Sequence, residues 1–65
     1  MFKIGQRVRI KSDAFPGSNK LENVNVRGKI GTLCYLIDNE ELWHWEDDSG
    51  HTAAPIESEL EALIP

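Results

Sequence analysis

From Arg7 onward the chain alternates. Val8 and Ile10 are apolar, while Arg7, Arg9 and Lys11 around them are cationic. A period of two is the signature of a half-buried strand, because successive side chains leave opposite faces. Residues 3–11 therefore predict a strand with Val8 and Ile10 turned inward. Residues 12–27, SDAFPGSNKLENVNVR, lose the period and are rich in Ser, Asn, Asp, Pro and Gly. Phe15-Pro16-Gly17 is a turn signal, and a connection this long in a small domain is usually functional or mobile. Val24 and Val26 predict a short strand near its end. The β-branched and aromatic content of GKIGTLCYLID, residues 28–38, predicts the next strand. Gly28 and Gly31 within it point to a bulge or a close backbone approach.

Asp38-Asn39-Glu40 supplies a turn, and ELWHWE, residues 41–46, reads as the third strand. Asp47-Asp48-Ser49-Gly50 is a hairpin turn, with Gly50 suited to the left-handed position. Residues 51–54 form a short fourth strand that Pro55 stops. IESELEALIP has room for one helical turn around residues 57–60, with Ser58 and Glu61 imitating a capping box, and then a last extended piece ending at Pro65. The expected core is Val8, Ile10, Ile30, Leu33, Trp43, Leu60 and Leu63. The parts are those of an all-β, five-stranded, partly open barrel with a long first loop and one 3-10 turn before the last strand.

Size sharpens this picture. A chain of 65 residues makes one domain, residues 1–65. It buries only about 60% of its unfolded surface. Cys34 is the only cysteine, so no disulfide staples the core, and a reducing, cytoplasmic setting is expected. No segment has the length and apolarity of a signal peptide or of a membrane span, so no membrane partner is expected. The small size also fits a phage or prophage protein.

The pattern G-x-x-V-x-I at residues 5–10, the long loop, G-x-x-G-x-L at 28–33, an aromatic strand ending in Asp-Asp-Ser-Gly, and P-x-x-x-x-L-x-x-L at 55–63 together resemble SH3-like barrels. The chain is most similar to the stand-alone members, namely the variable chain of ferredoxin–thioredoxin reductase, the small SH3-like accessory protein of photosystem I and the nitrile hydratase β-type barrel. That resemblance implies a non-catalytic subunit docking on a larger protein. The KOW branch of the same superfamily binds RNA or ribosomal surfaces, and residues 28–33 resemble its loop-glycine feature loosely.

Charge is unevenly placed. All seven basic residues, Lys3, Arg7, Arg9, Lys11, Lys20, Arg27 and Lys29, lie in residues 1–29, and nine of the eleven acids lie in residues 30–65. Within an overall charge of −4, the two segments carry +5 and −9. Opposite charges on neighbouring strands support each other; the same split also makes a surface able to steer a partner.

Candidate chemistry concentrates in WHWEDDSGH, residues 43–51. Zinc needs converging His, Cys or carboxylate ligands. His44 and His51, with Asp47 or Asp48 and Cys34, are the available donors. If Asp47 pairs with His51 across the hairpin, alternation puts His51 on the face of Trp43 and Trp45, and His44 on the other. The imidazoles then diverge, so no metal and no cofactor is expected. Glu46, Asp47 and Asp48 at a hairpin tip read as solvated turn formers rather than general acids. Cys34 as a nucleophile needs an adjacent base, while its strand context suggests core or near-core packing, and no enzyme activity is expected. Two indoles on one strand face are hard to bury fully in so small a domain. Either both indoles pack in the core, or Trp45, nearer the hairpin, is partly exposed as an interface anchor is.

These readings converge on a protein-interaction module docking on a larger protein through the 12–27 loop and the face carrying Tyr35, Trp43 or Trp45, with Phe15, Arg7 and Arg9 contributing. The alternative is a regulator associated with nucleic acid, acting through Arg7, Arg9, Lys11, Arg27 and Lys29 on phosphates. The net negative charge and the scarcity of aromatic platforms in the basic segment weigh against nucleic acid.

Overall fold

The computed structural model describes residues 2–37 and 41–63. The turn expected at 38–40 and the chain end at 64–65 lie outside the described residues. The elements run β1 (Arg7–Ile10), α1 (Leu21–Asn25), β2 (Ile30–Ile37), β3 (Leu42–Asp47), β4 (Thr52–Ala53), a 3-10 turn (Glu57–Glu59) and β5 (Leu60–Ala62). The strands form one antiparallel sheet in the order β4-β3-β2-β1-β5. The sheet is not closed, so β4 and β5 are its edges. Pairing with β3 resumes beyond β4, where Trp43 N–H donates to the Pro55 carbonyl at 2.8 Å and Leu42 bridges Ile56.

Alternation places the core as expected on β1, where Val8 and Ile10 are fully buried. Leu33, Trp43 and Leu60 join them, together with Ala14, Val26 and Trp45. Ile30 and Leu63, expected in the core, are only half-buried. Of the two readings open for Trp45, the structure shows the buried one, at 0% exposed. Gly31 explains how a second indole fits. A Cβ there would come within 2.5 Å of Trp45 Cε2 and 2.7 Å of Cζ2, and would also strike the Glu46 carbonyl oxygen. The close approach suggested by the glycine is thus the space that the indole occupies. Gly28 serves differently, sitting at φ +79° in the turn before β2.

The bulge lies at neither glycine. Leu33 pairs with Trp45, but Tyr35 pairs with His44 and Leu36 with Trp43, so Cys34 is the extra residue. One inserted residue reverses which face the rest of the strand shows.

The long loop carries α1 where a short strand was expected at Val24 and Val26. This helix lies beside the edge strand β4 without pairing to it. Its amides bond locally instead, with Asn23 and Val24 N–H both donating to the Lys20 carbonyl at 3.0 Å. Val26 then follows as a buried residue. Arg27 pins the loop by donating from Nε to Ala14 O at 2.7 Å and from Nη2 to Phe15 O at 2.8 Å. Glu59 pins it from the other side. Its Oε2 accepts from Phe15 N–H at 2.8 Å and its Oε1 from Ile56 N–H at 3.0 Å. The 3-10 turn is therefore capped by Glu59 reaching back, not by the Ser58–Glu61 pair.

The β3–β4 hairpin forms as its sequence suggests. Asp47 N–H donates to His51 O at 2.9 Å, Gly50 takes φ +90°, and Asp47 Oδ1 accepts from Ser49 and His51 N–H at 2.9 Å each. None of the described helices is long and apolar enough to cross a membrane.

Candidate functional site

The bulge at Cys34 sorts the expected docking residues onto two faces. Residues opposite each other in an antiparallel pair share a face. Leu36 therefore stands with Trp43 on the inner side, and Tyr35 with His44 on the outer side. Of the expected docking residues, Tyr35 therefore lies on the face opposite the two indoles.

On the inner side a groove of about 460 Å³ opens between β2, β3 and the 3-10 turn, lined by Leu36, Glu41, Trp43, Ile56, Glu57 and Ser58. Leu36 is 50% and Ile56 41% exposed, whereas Trp43, at 5%, forms part of the buried wall. The Leu42–Ile56 bridge and the Trp43–Pro55 hydrogen bond tie the two sides of the groove together. The indole Nε1 of Trp43, like that of Trp45, is buried with no hydrogen-bond acceptor among the described residues. A buried donor without an acceptor costs on the order of 1–3 kcal/mol. The charged residues among the described groove lining are Glu41 and Glu57, both anionic.

On the outer side Tyr35 is 52% exposed and stacks on His44, with ring centroids 4.7 Å apart and planes within 2°. His44 Nε2 meets Glu46 Oε2 at 3.0 Å. The Cys34 thiol is raised above its ordinary value by burial and then by the adjacent Glu46 carboxylate. It is a neutral thiol at pH 7, unlike an activated nucleophile. His51 turns to its own partner, with Nδ1 at 3.0 Å from Asp47 Oδ2. Burial raises the Asp47 carboxyl, but the His51 amide, the His51 imidazole and the Ser49 amide outweigh it, and the net shift is downward. The imidazoles thus serve different carboxylates, although both reach the rim of a second cavity of about 530 Å³ with Phe15, Asn23 and Ala53.

The basic residues do not form one free patch. Arg7 Nη1 donates to Asp48 Oδ1 at 3.0 Å and to Thr32 Oγ1 at 3.2 Å. Arg27 is spent on the carbonyls of the loop. Arg9 stands opposite Ile30 on one side and Glu61 on the other. Lys11 is half-buried beside the 3-10 turn, its N–H donating to Glu59 O at 2.9 Å, and Lys29 is exposed. Phe15, at φ 55°, packs against the core from the loop.

Sequence reasoning missed Leu36 and Ile56 as the exposed apolar pair of the groove. Leu36 was hidden by the unforeseen bulge, and Ile56 by its position after a proline outside any regular strand. No family model, no curated protein and no solved structure matches this chain.

Proposed function

We propose that this chain is a small SH3-like barrel acting as a non-catalytic interaction module, which docks on a larger protein by receiving an extended segment of it in the Leu36–Trp43–Ile56 groove. The strand order, the long first loop and the 3-10 turn before the last strand support the barrel reading, although the described sheet is open. The observation that carries the docking reading is the groove itself. It combines two half-exposed aliphatic side chains with two lining carboxylates, Glu41 and Glu57. Those features fit a segment with an apolar anchor and a flanking Lys or Arg. The raised Cys34 thiol supports a non-catalytic role, as do the hairpin carboxylates, Asp47 being held by the Ser49 and His51 amides and Asp48 by Arg7; the single cysteine supports a cytosolic setting. A phosphate-binding role has less support, because Arg7 and Arg27 are engaged by protein groups.

Selection from a random peptide library on the immobilised protein tests this reading. Enriched sequences are expected to pair an aliphatic residue with Lys or Arg, and to quench or shift Trp fluorescence on binding. Leu36→Asp and Ile56→Asp alter exposed side chains and are expected to abolish the enrichment while the far-ultraviolet circular dichroism stays unchanged. Enrichment that survives both substitutions sinks the groove as the docking site. Ligands retained only with nucleic acid present, with a steep salt dependence, point instead to phosphate binding.

A further inference from the structure

We propose that Cys34, His44 and Glu46 form a three-ligand site for a zinc-class divalent cation on the outer face of the sheet. Their ligand atoms, one thiol sulfur, one imidazole nitrogen and one carboxylate oxygen, all lie within 4.8 Å of one another. Two ligands on one tetrahedral zinc, with bonds of about 2.0–2.3 Å, stand roughly 3.3–3.6 Å apart. His44 Nε2 and Glu46 Oε2 stand at 3.0 Å, and the sulfur lies within 4.8 Å of a ligand atom of each.

The backbone explains why these three converge. His44 and Glu46 are two apart on β3 and share its outer face. Cys34 is the extra residue of the β2 bulge, opposite the same stretch of β3. The bulge seats both Cys34 and Tyr35 against His44, and bulges commonly re-aim a side chain at a site. Stacking on Tyr35 holds the imidazole plane, as a ligand needs before the metal arrives. Arg7, the cation on the adjoining strand, is engaged by Asp48 and Thr32, and His44 is the only ion-pair partner of Glu46 among the described residues. A mixed sulfur, nitrogen and oxygen set in tetrahedral reach selects zinc, or cobalt as its spectroscopic substitute, over the all-oxygen ions magnesium and calcium. On binding, the Sγ–H bond breaks, the proton passes to solvent and the thiolate electron pair forms the Sγ–metal bond. Water completes the fourth position.

Cobalt(II) titration of the full chain tests the site. The expected result is a thiolate-to-cobalt charge-transfer band that saturates at one ion per chain and is displaced by one equivalent of zinc. Cys34→Ser is expected to abolish the band. His44→Ala and Glu46→Gln are expected to weaken binding by on the order of tenfold or more, and His51→Ala to leave it unchanged. Zinc is expected to raise the melting temperature of the parent chain and not that of Cys34→Ser. Circular dichroism of each apo variant establishes that it is folded. Absence of the band in the parent chain overturns the site. So does a folded His44→Ala variant with parental affinity, because the thiol would then be binding alone.

Discussion

Replacing Gly31 by alanine adds one methyl group at the point where β2 crosses the buried indole of Trp45. The new Cβ would lie 2.5 Å from Trp45 Cε2 and 2.7 Å from Cζ2, and against the Glu46 carbonyl oxygen. None of these atoms yields easily. The carbonyl belongs to the β3 backbone, and the indole is fully buried in the core with Val8, Ile10 and Leu33. Overpacking of this kind costs about 1–3 kcal/mol, and contacts with backbone and an enclosed ring argue for the upper end. A domain of 65 residues has a total stability of about 3–10 kcal/mol, so a loss near 3 kcal/mol removes much of it. In a domain of this size that loss lowers the melting temperature by about 12–24 °C. Urea denaturation followed by Trp fluorescence, with thermal unfolding by circular dichroism, measures both quantities. Trp45→Phe in the same chain provides the internal check. A smaller ring relieves the ring contacts but not the carbonyl contact, so Gly31→Ala should cost less in that background. A Gly31→Ala variant within about 0.5 kcal/mol of the parent, with the same denaturant slope, would refute the claim that this glycine makes room for the second indole.

Two further outcomes follow from the loop and the hairpin. Arg27→Ala removes both guanidinium hydrogen bonds to the Ala14 and Phe15 carbonyls. It is expected to cost about 2 kcal/mol and to raise amide exchange over residues 12–19; unchanged exchange there shows that Arg27 does not hold the loop. The Asp47 carboxyl sits below its ordinary value in the folded chain. Its contribution is therefore complete above about pH 4, the unfolded range. It is lost as pH falls through the lower folded value, because the unfolded chain takes up the proton first. Urea midpoints measured through the acid range should fall more steeply for the parent than for Asp47→Asn, and parallel curves would contradict the hairpin role of this carboxylate.

The local pattern along the chain located the five strands approximately, but it also placed a strand at Val24 and Val26 where the chain forms α1. Alternation at Val8 and Ile10 identified the buried face of β1. Asp47 and Gly50 identified the hairpin, and the terminal segment announced its single turn before the last strand. These features rest on spacing and on turn chemistry within a few residues. Tertiary structure decided what depends on residues far apart. Burial of Trp45 needed the absent side chain of Gly31 on the neighbouring strand. The stretch around Val24 became a helical turn whose amides bond to the Lys20 carbonyl rather than to a strand. Arg27 and Glu59, which look like solvated charges in the sequence, became the two clamps of the loop. The bulge at Cys34 mattered most for function. It leaves the composition untouched, yet one unpaired residue reversed the faces of everything after it in β2, sending Leu36 to the groove and Tyr35 to His44. A period-two reading carries no sign of where a register slips, because the slip is set by how two strands pack against each other and not by either strand alone.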